Sequence, residues 1–398
     1  MAESVTRSFF PSQIASDIEK HSLEYGLKVG KAIESEWFDK DSGSNRYRSH
    51  EINFHRLRLY ARGEQSIQKY KDELSINGDL SYLNLDWKPV PIIPKFVDIV
   101  VNGISERTYD VKAYSQDPYG VEKRTDYMET ILADMETREL AQFSKQAFGI
   151  DITDTPEDEL PETREELDLH MQLTYKQAVE LAEEQAINTI LETNKYDLTR
   201  RRVNYDLTVL GIGAVKNTFS KSEGVKVDYV DPANLVYSHT DSPYFEDVYY
   251  VGEVKVIPMN ELKKEFPNLS QEDLEEIMQQ PHNNKNGYSR THLNDNYVDT
   301  NQIEVLYFNY KTYMNEVYKV KTLGSGASKI IVKDDSFNPP QELVEQNFER
   351  VARSIEILYE GVLILGTKKL LKWQIAKNMV RPKSDNTKVK LNYSIVAP

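Results

Sequence analysis

The sequence predicts an α+β protein: a helix-rich N-terminal part with a small β-unit, then short helices, then a β-rich stretch. Three observations predict it. Apolar residues recur every three or four positions from Leu167 to Thr193, at Met171, Tyr175, Ala178, Val179, Ala182, Ala186 and Ile190, which is the period of a helix face. Period-two alternation replaces it in IEVLYFNYKTYMNEVYKVKTL and SIEILYEGVLILGTK, the pattern of half-buried strands. The 398 residues also exceed the roughly 250–300 at which one hydrophobic core stops growing, so two or three folding units are expected.

The first forty residues set Ile14, Ile18, Leu23, Leu27 and Val29 at near-helical spacing among charges and predict a helix pair. After the turn-rich DKDSGSN, a second helix places Phe54, Leu57, Tyr60 and Ala61 on one face and Arg56, Arg58 and Arg62 elsewhere. Gly78 and Asp79 break it. The proline-punctuated NLDWKPVPIIP forbids a central strand and leads into a short buried helix, Lys95 to Asn102, closed at Gly103. Tyr109, Val111 and Ala113 alternate as in a strand, and a helix follows from about Gly120 to Gln146. Between Asp151 and Asp168 nine carboxylates face one arginine, too much like charge to bury, so this is an exposed loop whose acids favour the start of the helix over Leu167–Thr193.

Beyond it, a helix runs into Gly211 and Gly213. Ala214–Phe219 and Val225–Val230 form a hairpin ended by Asp231-Pro232, and Val248–Val256 gives another strand. Pro258 opens two short amphipathic helices. A polar, Asn-rich crossing follows, and then a β-unit over about Gln302–Gly366, with IEVLYFNYKTYMNEVYKVKTL read as two antiparallel strands.

Composition narrows the function classes. Without cysteine there is no disulfide framework, thiolate metal site or cysteine nucleophile. The N-terminus lacks the basic and apolar regions of a signal peptide, and no apolar run approaches about 18 residues, so a cytoplasmic chain without a membrane span is expected. The net charge of -15 disfavours a protein that grips nucleic acid over its whole surface. The final segment reverses that sign: Lys368, Lys369, Lys372, Lys377, Arg381, Lys383, Lys388 and Lys390 crowd it, with Asp385 its single acid. Such a run is a solvated tail, a face for an acidic neighbouring subunit, or a DNA contact.

Motifs for chemistry are missing. The seven histidines are scattered without metal-ligand spacing, Gly211-Ile212-Gly213 lacks the third glycine of a dinucleotide fingerprint, and Gly324-Ser325-Gly326-Ala327-Ser328-Lys329 has the wrong spacing for a phosphate loop. No catalytic residue, cofactor or metal is therefore expected. The 25 tyrosines, several paired at strand edges, suit either subunit interfaces or a β core.

Four stretches carry a family resemblance: RLYARGEQSIQKYKDEL, LNLDWKPVPIIPKFVDIVVNGI, the run from LTVLGIGAVKNTF through VDYVDPANLVYSHTDSPYFEDVYYVGEVKVI to PMNELKKEF, and QIEVLYFNYKTY. In these stretches and their order the chain resembles the portal proteins of crAss-like tailed phages. The resemblance implies a wing over 1–256, a first stem segment over 257–282, a clip over 283–366, and a basic return segment over 367–398 leading toward a second stem helix. The inner tunnel loop and long helix of that family are expected to be missing after Pro398.

The resemblance further implies a homo-oligomeric ring, typically of twelve subunits, at one capsid vertex of a virion assembled in bacterial cytoplasm. DNA enters and leaves through its channel without being read. The major capsid protein surrounds the ring, while the terminase motor and later tail adaptor proteins dock on it. Lys368, Lys369, Lys372, Lys377, Arg381 and Lys383 are the expected subunit or DNA contacts. Another head-to-tail connector or scaffold-binding assembly protein is the alternative, with a nucleic-acid-processing enzyme further off.

Overall fold

The structure, a computed structural model, describes residues 8–38, 46–64, 67–75, 90–106, 110–149, 160–173, 175–220, 224–279, 302–323, 328–333, 337–338 and 346–397. It is an α+β protein, as the two periodicities predict. In chain order, helices α1 (Asp17–His21), α2 (Leu23–Phe38), α3 (Arg46–Ala61), α4 (Gln68–Leu74) and α5 (Ile93–Ser105) precede α6 (Pro118–Glu136), α7 (Arg138–Phe148), α8 (Arg164–Leu173), α9 (Ala178–Thr193) and α10 (Tyr196–Leu210). Strands β1 (Gly213–Ser220), β2 (Gly224–Val230), β3 (Leu235–Tyr237) and β4 (Tyr250–Pro258) follow, then α11 (Met259–Glu265) and α12 (Gln271–Gln279). The chain closes with β5 (Gln302–Leu323), β6 (Ser328–Lys333), β7 (Gln346–Ile364), β8 (Leu370–Ile375) and β9 (Tyr393–Val396). Two compact units result: Met1–Glu106 with Leu198–Pro398, and Arg107–Asp197.

The larger unit is organised by an antiparallel sheet in the order β3-β4-β5-β7-β8, with β6 added on β5. Its central strands are apolar on both faces, so both faces need cover. One face buries Leu306, Phe308 and Tyr310 of β5 with Tyr359 and Leu363 of β7 under Tyr25, Val29, Ile33 and Trp37 of α2. The other buries Ile303, Val305, Val362 and Ile364 under Leu262 of α11 and Ile277 of α12. Close approach of α2 depends on small residues: a Cβ on Gly26 would stand 2.4 Å from the Trp373 ring and one on Gly30 3.1 Å from Leu363, while within the sheet one on Gly361 would stand 2.2 Å from Phe308. Buried polar ends are paired. Trp37 Nε1 donates to Tyr250 Oη at 3.0 Å, Trp373 Nε1 to the Lys20 carbonyl at 2.9 Å, and Lys20 Nζ to the Tyr313 carbonyl at 2.7 Å.

The smaller sheet, β2-β1-β9, is antiparallel throughout, with Ala214, Val230, Tyr393 and Ile395 in its core. The predicted hairpin of Ala214–Phe219 with Val225–Val230 holds, and β2 starts at Gly224 with φ +75°, a conformation that suits glycine. The unit Arg107–Asp197 is helical around Ile131, Leu167 and Met171.

Several expectations are corrected. Ile14, Ile18 and Leu23 are exposed, and the inward stripe of α2 is Tyr25, Val29, Ala32, Ile33 and Trp37, one helix repeat that the neighbouring charges obscure. The single helix expected over Leu167–Thr193 is two, because the Glu180 carboxylate accepts the Gln177 amide at 3.0 Å and starts α9 afresh. The expected helix over Gly120–Gln146 is likewise split, at Thr137. Residues 110–117 are extended but are not a strand: the amides of Ala113 and Ser115 donate to the carboxylates of Glu184 and Glu180 at 2.9 and 2.7 Å, so α9 takes the bonds a ladder would need.

Helix α5 exists but is not buried; among its residues only Val101 is, and Phe96 is 61% exposed. IEVLYFNYKTYMNEVYKVKTL is one strand, because β7 pairs with it continuously from Val305 to Leu323. Residues 367–397, the expected return segment, hold β8 and β9: β8 completes the sheet edge on β7 and β9 pairs with β1. The expected limit at residue 256 falls inside β4, whose ladder with β5 runs from Tyr250 to Pro258. The acidic stretch 151–159, the crossing 281–301 and the loop 324–327 lie outside the described residues.

Candidate functional site

Arg58 in the larger unit bridges two acids. Its guanidinium donates to both Asp231 oxygens, at 3.0 and 2.8 Å, and to Asp206 Oδ1 at 3.1 Å, while the Tyr229 hydroxyl donates to Asp206 Oδ2. Asp231 in turn accepts the Ala233 amide at 3.0 Å, capping the turn at Pro232. One planar cation thus joins α3, α10 and the end of β2 in the bidentate geometry for which arginine is suited. Burial raises the Asp206 pKa, a rise that Tyr229 and Arg58 oppose. Burial works to lower the Arg58 pKa, but Asp231 and Asp206 outweigh it and the guanidinium is held firmly charged. Arg58 shares the stripe of Phe54 and Ala61, at i−4 and i+3; an arginine on an apolar stripe is the sequence signal of a buried acid.

This network floors a cleft of about 510 Å³ whose rim carries Arg62, Arg201 and Arg202. Arg201 donates to Asn102 Oδ1 at 3.4 Å, and Arg202 lies 5.6 Å over the Tyr229 ring. The cleft is amphoteric: Asp206 and Asp231 are matched by Arg58, Asp98 also lines it, and its outer arginines favour an anionic visitor.

A second group lies between the two sheets. The Lys216 ammonium sits over the rings of Tyr393 at 5.0 Å and Tyr307 at 5.5 Å. Burial lowers its pKa against the pull of Glu253 and Glu360, and burial raises that of Glu253 against Lys255 and Lys216. An acid and a base pushed toward each other are a signature of proton-transfer sites. Neither lines the cleft, and the Tyr393 hydroxyl beside them is buried without a hydrogen-bond partner, so the pair acts as a sheet-to-sheet contact. Among the described residues no group of His, Cys, Asp or Glu could hold a metal ion, and no helix is long and apolar enough to cross a membrane.

The six cations expected as contacts divide by role. Lys369 Nζ bonds Asp273 at 2.7 Å and Glu276 at 2.6 Å, tying the β7–β8 turn to α12 and holding the Asp273 carboxyl well below the usual range. Lys372 bonds Glu360 at 2.9 Å, and Arg381 donates to the carbonyls of Glu356 and Asn386, both at 2.9 Å. Lys368, Lys377 and Lys383 are exposed. Lys369 and Lys372 thus meet carboxylates of their own chain, and Arg381 meets its backbone carbonyls. A comparison with protein-family models and one with curated proteins give no match.

Proposed function

We propose that the chain is a portal subunit: copies of it form a ring at one capsid vertex, and duplex DNA passes through the central channel during packaging and ejection. The observation that carries this reading is the placement of the resemblance. All four stretches, over residues 58–74, 83–104, 207–266 and 302–313, fall in the unit Met1–Glu106 with Leu198–Pro398, and none falls in Arg107–Asp197. On this reading the second unit is an insertion into a portal-like frame.

Two physical features support it. The helix in the second stretch, α5, leaves Ile92, Ile93, Phe96, Ile99, Val100 and Ile104 exposed, while α10 holds its polar side through Arg200 and Asn204 bonds to Ile104 and Ser105. Covering such side chains stabilises by roughly 1.5–3 kcal/mol each when burial is complete, which a neighbouring copy in a ring would supply. The charge of -15 per copy suits a channel that DNA must slide through, since each phosphate-to-lysine contact would retard it. The terminase motor, tail adaptors and major capsid protein are the partners this reading requires. Mass measurement of the full chain in solution tests it: a closed ring, of twelve subunits in the resembled family, is expected, and a monomer at high concentration irrespective of salt overturns it.

A further inference from the structure

Beyond residue 310, β5 leaves β4 and pairs with β7 and then β6, making a three-stranded ribbon. The register decides what each side of it presents. Val317, Lys319 and Lys321 of β5 share a side; opposite them stand Lys333, Ile331 and Lys329 on β6, and Ala352, Arg350 and Phe348 on β7. Between Val317 and Lys321 the described residues of this side therefore include five cations and no acid. Glu316 and Glu349 fall on the reverse side with Tyr318, Val320, Val332 and Val351, while Glu356, opposite Tyr313 at the base of the ribbon, is on the cationic side and accepts the Val389 amide at 2.8 Å. Asp334 and Asp335 follow Lys333 in the sequence, outside the described residues.

Two juxtapositions on this side run against the stability of the ribbon itself. Lys319 is directly opposite Arg350, and Lys321 directly opposite Lys329. Like charges at facing positions of an antiparallel pair are destabilising, and a strand that needed only to be soluble would alternate its signs. The aromatics hold the ammonium groups in place: Lys319 Nζ lies 4.2 Å from the centre of the Phe348 ring and 5.7 Å from that of Phe337, and Lys333 Nζ 5.9 Å from the latter. A ring occupied by a lysine is not offered to a base, which points to backbone contact rather than base stacking. Same-side residues along a strand stand about 6.8 Å apart and neighbouring strands about 4.8 Å. That grid is commensurate with a phosphate row advancing roughly 3.4 Å per step along each strand of a duplex.

We infer that the side of the β5–β6–β7 ribbon bearing Lys319, Lys321, Lys329, Lys333 and Arg350 binds the phosphate backbone of duplex nucleic acid without reading its sequence. The inference does not depend on ring formation, and in a ring this side of the ribbon must lie off the path along which DNA slides. It also shifts the expected cationic contact away from the C-terminal segment, where Lys369 and Lys372 bond carboxylates of their own chain and Arg381 bonds backbone carbonyls.

The test is fluorescence anisotropy of a labelled DNA duplex of unrelated sequence with the full chain, titrated at several salt concentrations. Wild type is expected to bind with an affinity falling as about the fourth to fifth power of salt, near 0.9 per phosphate contact. The variant K319Q/K321Q/K329Q/K333Q is expected to lose about 3.6 from that exponent and on the order of a hundredfold in affinity at low salt. Because these changes remove like-charge pairs, circular dichroism and the unfolding midpoint should be unchanged or improved. The set K28Q/K123Q/K226Q/K264Q, exposed lysines elsewhere, should leave binding as in wild type. The inference is overturned if wild type does not bind, if the ribbon variant binds like wild type, or if K368Q/K377Q/K383Q abolishes binding in its place. It is also overturned if polyglutamate displaces the duplex at equal charge concentration, which would assign the surface to an acidic protein.

Discussion

Arg58 serves two carboxylates with one guanidinium, and Asp206, the more deeply buried of them, has Tyr229 as its other side-chain partner among the described residues. Arg58→Met should therefore cost about 3 kcal/mol in urea unfolding, chiefly because a buried carboxylate is left without its cation. Adding Asp206→Asn to that variant should recover part of the loss; equal midpoints for the single and double variants would show that the pairing is not the source. Glu304 gives a pH-dependent counterpart. Burial, and then Glu51, raises its pKa, so between the ordinary glutamate value and the raised one the folded chain keeps a proton that the unfolded chain has released. Stability is then fully present below the unfolded value and lost as pH rises through the folded one. Glu304→Gln should flatten that slope and raise the melting temperature at pH 7 while leaving it nearly unchanged near pH 4. Single residues were the least legible scale in the sequence. Lys369 and Lys372 read as part of a free basic run because nothing in a local pattern shows that Asp273, Glu276 and Glu360 fold back on them.

Elements were legible where the periodicity was strong and the partner local. The β1–β2 hairpin, β4, α11 and α12 stand where the pattern puts them, because short turns and Pro258 define their limits. Errors arose where a distant segment decides the outcome. The 22 residues of β5 are one strand since β7 follows it throughout, and residues 110–117 are no strand since α9 carboxylates take their amides. The seat of α2 was invisible for the same reason: Gly26 looks like a flaw in a helix until Trp373 is placed against it. Gly26→Ala, favourable for an isolated helix, should here cost about 1–3 kcal/mol through overpacking on the indole, readable in urea unfolding and in the near-ultraviolet signal of Trp373. Helix α5 makes the opposite case, since a helical stripe shows that a face is apolar but not what covers it. On the ring reading, Phe96→Glu with Ile99→Glu should convert the assembly to monomers at an unchanged melting temperature, measured by light scattering and calorimetry; an unchanged mass would remove α5 from the interface.

At the scale of the whole molecule, charge separates the two proposals. Copies each carrying -15 repel one another, so association should strengthen as salt rises from about 50 to 150 mM and the screening length shortens. Binding of a duplex by the ribbon should weaken over the same range through counterion release. Sedimentation and anisotropy on one preparation should thus move in opposite directions, and either can fail without the other. The α+β class was readable from composition and period. The division into units was not, because Arg107–Asp197 interrupts a unit whose two parts lie far apart in the chain. One strand also joins the core to a charged, partly exposed ribbon. Ile303 and Phe308 lie in the core, and Lys319 and Lys321 lie at the far end of the same ladder, roughly 40 Å on at about 3.3 Å per residue. The strand works as a phase reference: the parity of a position in the core dictates which way a side chain points at the tip. One residue inserted after Met314 would exchange the two sides of the ribbon beyond it while leaving composition, net charge and core packing as they are, turning the lysines to where Tyr318 and Val320 now stand. Length in this strand is thus held as a count, even or odd, and an insertion of two should be tolerated where an insertion of one is not.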